Sequence, residues 1–281
     1  MTQYSFFKMH GIGNDYIFID CRYHEFPPIK EVAKTWCDRN RGIGSDGIVL
    51  ILLSSEATVK MRIFNTDGSE AQTCGNALRC IGKYLDDRNE LSDGSFTIET
   101  IRRIVHGVII KKGTEESIVA VNMGLPVWNP REIPVSGYND PVIQQEFIVD
   151  KDTKFLHSCV SMGNPHCVIE VDDVQNFPVN KYGSLIENSH QFPERTNVGF
   201  MQLLDAENMV LRVWERGSGE TMACGSGACA AYATWSKINS SISPMFIHLK
   251  GGTLKLSFSE KDNSIIQEGS ATFVFNGSAE T

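Results

Sequence analysis

The chain has 281 residues, 41% of them hydrophobic, with 26 basic against 34 acidic side chains and a net charge of −8. This length and apolar content suit two modest domains, each large enough to close a core, and argue against a disordered chain. The acidic balance, without a basic run, disfavours nucleic acid or an anionic membrane as partner; the start, Met1-Thr-Gln-Tyr-Ser-Phe-Phe-Lys, has no signal-peptide run and no later stretch approaches a membrane span, so a cytoplasmic enzyme is expected.

Lys8-Met-His-Gly-Ile-Gly-Asn14 reads as a glycine-broken turn ahead of a short strand over residues 16–20. Ile29, Val32, Ala33 and Trp36 recur at helical spacing and predict a helix over 29–40, with Cys37 on its apolar face. Arg41-Gly-Ile-Gly-Ser-Asp46-Gly is a loop; no helix opens after it, which removes a nucleotide-binding reading. Strands at 48–53 and 59–64 deliver Asn65 and the run Asn65-Thr-Asp-Gly-Ser-Glu-Ala-Gln-Thr-Cys74-Gly-Asn-Ala-Leu-Arg-Cys80, where Leu78, Ile81 and Leu85 mark the apolar face of a helix. Further strands are expected at 96–100, 104–111 and 118–121. The proline- and glycine-bearing stretch 123–141 is the passage into the second half.

The second half opens at Ser158 with Ser161-Met-Gly-Asn164-Pro-His166, then a strand over 167–171 and a weaker helix near 179–186. Strands at 198–204 and 209–214 lead to Glu215-Arg-Gly-Ser-Gly-Glu-Thr-Met-Ala-Cys224-Gly-Ser-Gly-Ala-Cys229. Ala228, Ala231, Tyr232, Trp235 and Ile238 continue it as a helix over 225–238. Strands at 245–249, 253–258 and 271–275 finish the chain, the last returning to the first domain.

Cys224 lies 150 residues after Cys74, and that offset, applied without gaps, also pairs Gly13 with Gly163, Asn14 with Asn164, Arg62 with Arg212, Glu70 with Glu220 and Phe96 with Phe246. The chain is a duplication. Its eight cysteines contain no Cys-x-x-Cys pair, which gives no support to a zinc or redox motif and suits reduced thiols. Most of the thiols read as core packing. Cys74 and Cys224 differ, because each opens a helix behind a polar or glycine-rich turn, where unpaired N–H groups favour a thiolate or a bound carboxylate.

If the copies pack about a pseudo-twofold axis, the two thiols meet one bound carbon from opposite faces. A thiolate on one side and a thiol on the other can remove a proton and return one with inverted stereochemistry, which is racemisation or epimerisation. The helix-mouth N–H groups at Gly75, Asn76, Gly225 and Ser226 would then hold the substrate carboxylate as its charge grows. This chemistry requires neither metal nor cofactor.

Four motifs carry a more specific likeness: Lys8-Met-His-Gly-Ile-Gly-Asn14, Asn65-Thr-Asp-Gly-Ser-Glu through Cys74-Gly-Asn, Met162-Gly-Asn-Pro-His166, and Glu215-Arg-Gly-Ser-Gly-Glu-Thr-Met-Ala-Cys224-Gly-Ser-Gly. Together they resemble the diaminopimelate epimerase family over the whole chain. The resemblance implies cofactor-independent interconversion of LL- and meso-diaminopimelate, for lysine and peptidoglycan precursors. It also implies an α/β (α+β) fold of two pseudo-symmetric domains, each a strongly curved, mostly antiparallel sheet around a central helix, with the active site in the interdomain cleft. The domains are expected at 1–121 with 268–281, carrying Cys74, and at 122–267, carrying Cys224.

By the same resemblance Cys74 and Cys224 are the acid/base pair, and Gly75, Asn76, Gly225 and Ser226 bind the carboxylate. Asn14, Asn65, Asn164, Asn197, Glu215 and Arg216 hold the distal amino and carboxylate groups, while His166 and Glu215 tune the thiols. No metal is implied, and a homodimer is left open. Two positions depart from the family pattern: Gly47 stands where some members have glutamine, and Ala77 replaces a glycine. The competing readings are a proline racemase-like enzyme on the same scaffold, a cysteine hydrolase or acyltransferase needing one thiol and a histidine, and a redox-responsive binding protein.

Overall fold

A computed structural model describes residues 2–151 and 153–280 and, among them, seventeen strands and four helices. The chain divides into two compact units, Met1–Asn122 with Glu268–Thr281, and Met123–Gln267.

In the first unit the elements run β1 (Gln3–Gly11), β2 (Asn14–Asp20), α1 (Ile29–Trp36), β3 (Gly47–Leu52), β4 (Val59–Asn65), β5 (Glu70–Ala71), α2 (Gly75–Asp87), β6 (Ser95–Glu99), β7 (Ile104–Lys111) and β8 (Glu116–Gly124). The second unit carries β9 (Gln145–Asp150), β10 (Thr153–Ser161), β11 (Pro165–Glu170), α3 (Val179–Glu187), β12 (Asn197–Leu203), β13 (Asn208–Glu215), β14 (Gly219–Glu220), α4 (Gly225–Asn239), β15 (Met245–Leu249) and β16 (Gly252–Phe258). The last strand, β17 (Ile265–Glu280), completes the chain.

Both units use one pairing scheme. β1 and β2 are antiparallel, β2 and β3 parallel, β3 and β4 antiparallel, β4 and β6 parallel, and β6 and β7 antiparallel. The series β10, β11, β12, β13, β15 and β16 repeats that pattern sense for sense. A parallel pair needs a long crossover, and each parallel step here is bridged by a helix: α1 and α3 at the first, α2 and α4 at the second. In the first unit β7 pairs with β8, β8 with β17, and β17 with β1, so the sheet closes on itself.

Closure around α2 explains its composition. Eleven of its thirteen residues are buried, on every side, including Arg79 and Lys83. Lys83 Nζ lies within 3.0 Å of Asp87 and donates to Gly113 O at 2.9 Å, while Arg79 reaches Asn76 and Ser270, so both cations are hydrogen-bonded. Gly82 and Gly107 bring α2 and β7 against the Phe96 ring; a Cβ on either would come within 2.4 Å of it. In α4, eleven of fifteen residues are buried. This all-round burial is what a central helix requires.

Several elements differ from the sequence reading. β9 and β10 form an antiparallel pair over a stretch where no strand is expected before residue 167, because their polar and apolar residues face both solvent and core. β17 runs well beyond 271–275, held along its length by β1. α1 ends at Trp36 rather than near 40, because the Gly44 N–H bonds back to Trp36 O and turns the chain.

The duplication keeps one ion pair at matched places with different burial. Arg62 grips Glu70 through two bonds of 2.8 and 2.9 Å, its side chain 34% exposed. Arg212 grips Glu220 at 2.7 and 3.0 Å, is 14% exposed, and also donates to the carbonyls of Val174, Gln175 and Phe177. Removing Arg212 strips several acceptors at once, most of them part-buried. Arg212→Ala should therefore cost about 2–4 kcal/mol in denaturant unfolding, and Arg62→Ala less than about 1 kcal/mol; equal losses would contradict this ranking.

Candidate active site

Each unit places a cysteine as the N-cap of its buried helix. Cys74 (φ −147°, ψ 117°) and Cys224 (φ −119°, ψ 104°) are extended, and helix begins at the glycine after each. The first backbone bonds are Leu78 N–H to Cys74 O and Ala228 N–H to Cys224 O, both 3.0 Å. The N–H groups before them, at Gly75 and Asn76 and at Gly225 and Ser226, therefore have no partner within the helix and point out of its end. Gly225 is braced by Gln267, whose Nε2 donates to Gly225 O at 2.9 Å.

In the first unit the Cys74 thiol is partly exposed. It donates to Asn14 Oδ1 at 3.4 Å and accepts from the Tyr16 hydroxyl at 3.5 Å. Asn14 is fixed from two directions: its Oδ1 accepts from Asn76 Nδ2 at 2.9 Å, and its Nδ2 donates to Asp46 at 2.7 Å. Behind Asn76 stands Arg79 at 2.6 Å, and beside Asp46 stands Arg39 at 2.7 Å. Arg39 and Lys8 also grip Asp15; burial pushes its carboxyl up, but their hydrogen bonds and charges prevail and hold it below the usual range. Asn65 lies apart from this cluster in hydrogen bonding: its Nδ2 donates to Ser69 Oγ at 2.9 Å within the β4–β5 turn.

In the second unit Cys224 is only 4% exposed. Its sulfur accepts from Gly227 N–H at 3.4 Å and lies 3.6 Å from Ser226 Oγ. His166 Nε2 lies 3.1 Å from Ser226 Oγ and 3.0 Å from Asn164 Oδ1. Burial, with the Arg216 charge, pushes His166 down to about 3, so the ring is neutral at physiological pH. Asn197 bridges strands, donating to Pro165 O at 2.8 Å and accepting from Arg216 N–H at 3.0 Å. The Arg216 guanidinium donates to Glu194 O at 2.9 Å, and Thr221 donates to Glu215 Oε1 at 2.5 Å.

The helix mouth alone favours a thiolate at Cys224, but its surroundings reverse that. Burial pushes the thiol well above its ordinary value and the Glu215 carboxylate pushes it further, outweighing the Ser226 and Gly227 donors. Cys224 is therefore a thiol at neutral pH. Gly47 supplies no side chain, and none would fit: a Cβ there would lie 2.3 Å from Phe64 O.

Within the first unit Cys74, Gly75, Asn76 and Asn14 are drawn together; within the second, Cys224, Gly225, Ser226, His166, Asn164 and Glu215 are. Sequence reading missed Tyr16, Thr221, Gln267 and Arg79. A tyrosine in a strand or a glutamine in a late strand announces no role until packing brings it to a sulfur or a helix end. Among the described residues no group of three or more His, Cys, Asp or Glu is placed to hold a metal ion.

The family described as diaminopimelate epimerase matches residues 6–129 and 158–274. A diaminopimelate epimerase of Methanococcus maripaludis strain C5 is 44% identical over 273 residues, covering 97% of this chain and 98% of its own. One of Bacillus cereus strain AH187 is 41% identical over 283 residues, covering 99% and 97%. Among solved structures, a Bacillus anthracis phenazine biosynthesis protein of the PhzF family shares the fold over all of both chains, with a TM-score of 0.73 at 15% identity.

If Glu215 holds Cys224 protonated, Glu215→Gln should lower the pH at which the Cys224 thiol ionises. The Cβ carbon resonance of isotopically labelled Cys224, followed against pH, reads this directly. An unmoved titration would mean that burial alone sets it.

Proposed function

This chain belongs to the diaminopimelate epimerase family, and on that footing we propose that it interconverts LL- and meso-diaminopimelate by passing protons between one α-carbon and two cysteine sulfurs. The observation that carries the reading is the pair of cysteine N-caps on two buried helices, one thiol partly exposed and the other, beside Glu215, held protonated.

In one direction Cys74, as thiolate, takes the α-proton; the C–H pair moves into the carboxylate as the bond breaks. Cys224 then gives its S–H proton to the opposite face of the carbon. The sulfurs exchange roles, and the product isomer can run the sequence backward. The charge that gathers on the carboxylate oxygens is met by the N–H groups of Gly75, Asn76, Gly225 and Ser226, whose direction is set before substrate arrives. No cofactor is needed to delocalise it in this scheme.

Asn14, Asn65, Asn164, Asn197, Glu215 and Arg216 would take the far end of the substrate, with the guanidinium on the distal carboxylate and the carboxylate and amide oxygens on the ammonium. In this reading one domain, 1–121 with 268–281, supplies Cys74, and the other, 122–267, supplies Cys224. The enzyme works where thiols stay reduced, in the cytoplasm, with its small-molecule substrate as partner; a homodimer is compatible with it. Among the described residues no helix is long and apolar enough to cross a membrane.

A cysteine hydrolase is less well supported. It needs a histidine that takes the thiol proton, whereas His166 is pushed to about 3 and meets Ser226 rather than the sulfur.

Reduced protein should place deuterium at the α-carbon of diaminopimelate in heavy water. Cys74→Ala and Cys224→Ala should each lower turnover by at least about 10³-fold. Normal equilibration of the isomers by either variant would overturn the two-base scheme.

A further inference from the structure

The 150-residue offset that pairs the cysteines also pairs Tyr16 with His166, Asn14 with Asn164 and Asn76 with Ser226. In the second unit the ring at this position reaches the sulfur through a hydroxyl: His166 Nε2 to Ser226 Oγ at 3.1 Å, then Ser226 Oγ to Cys224 Sγ at 3.6 Å. In the first unit the hydroxyl sits on the ring itself, and Tyr16 donates to Cys74 Sγ at 3.5 Å. Asn76, in place of the serine, turns to Asn14.

We propose that Tyr16 is a positioning residue for the Cys74 half-site, the counterpart of His166, whose hydroxyl orients the sulfur and stabilises it as the anion that takes the substrate proton. This rests on the epimerase reading and deepens it.

The bonds of the Cys74 thiol with Asn14 and with Tyr16 respond oppositely to ionisation. The bond to Asn14 needs the S–H proton and is lost with it. The bond from Tyr16 has an O–H donor and strengthens when its acceptor becomes charged. Asn14 cannot turn its amide to compensate, because Asp46 and Asn76 fix both ends. Tyr16 is itself held in place, 9% exposed, with its ring edge-on to Phe18 at 6.3 Å between centroids.

Charged groups stand behind those amides. On one side is the Lys8–Asp15–Arg39–Asp46 cluster, reached through Asn14; on the other is Arg79, reached through Asn76. Cys80, on the same helix, is a buried thiol pushed up to about 12 and stays neutral. Tyr16 thus gives the Cys74 sulfur a phenolic donor, whereas the Cys224 sulfur has Gly227 N–H and Ser226 Oγ beside it together with the Glu215 carboxylate.

Tyr16→Phe keeps the ring and removes the donor. Alkylation of Cys74 by iodoacetamide, located by mass spectrometry, should slow about tenfold at neutral pH and converge with the parent protein at alkaline pH. kcat for diaminopimelate should fall by a similar factor with KM little changed. Replacing Tyr16 by 3-fluorotyrosine, a stronger donor of nearly the same size, should speed Cys74 alkylation at neutral pH, and it tests the point even if the phenylalanine variant folds poorly. A folded Tyr16→Phe protein whose Cys74 alkylates like the parent at every pH, or a fluorotyrosine protein with no faster alkylation, overturns the role of Tyr16. Absence of deuterium exchange into diaminopimelate by the parent protein would instead remove the epimerase reading, whatever the alkylation rates.

Discussion

The fold depends on enclosing a helix on all its sides while leaving its first turn open. In the first unit the sheet closes around α2, so the sheet and helix bury both apolar and charged side chains, and Arg79 and Lys83 must find carbonyls and carboxamides to be there at all. Backbone donors in the helix body are satisfied by carbonyls of the preceding turn. The first N–H groups are not, and they are the part of the helix that chemistry can use. A cysteine at the N-cap then puts a sulfur beside several oriented donors without any side chain needing to be aimed.

From that shared starting point the halves diverge through what surrounds each sulfur. Around Cys74 stand amides and a phenol, backed by ion pairs that stay one residue away. Around Cys224 stand burial, a neutral imidazole acting through serine, and a carboxylate. A helix end therefore does not set a thiol's acidity alone: at Cys224 the Gly227 N–H and the Ser226 hydroxyl lose to desolvation and a nearby negative charge. The two halves share the cysteine N-cap, and the residues around each sulfur differ.

Much of this was legible in the chain because it repeats. The offset exposed the matched helices, the matched arginines and glutamates and both cysteine turns, and the glycine after each cysteine, followed by asparagine or serine, marked a helix start. Burial was not legible. Cys224 reads like Cys74 in sequence, yet its exposure and its distance from Glu215 depend on strands that approach from elsewhere in its unit. β9 and β10 were hidden by mixed polarity, and the length of β17 by its dependence on β1. Tyr16 looked like one more aromatic in a strand.

The glycine contacts on the Phe96 ring reach further than packing. At the place matching Gly82, the second central helix carries Tyr232, fully buried, with its hydroxyl bonded to Ile242 O and Ser243 O. Put into the first unit, that phenol would occupy the space of Phe96; put into the second, a glycine would leave a void and remove the bonds to Ile242 O and Ser243 O. At this position the two halves have ceased to be interchangeable parts, and a change accepted by one central helix is refused by the other.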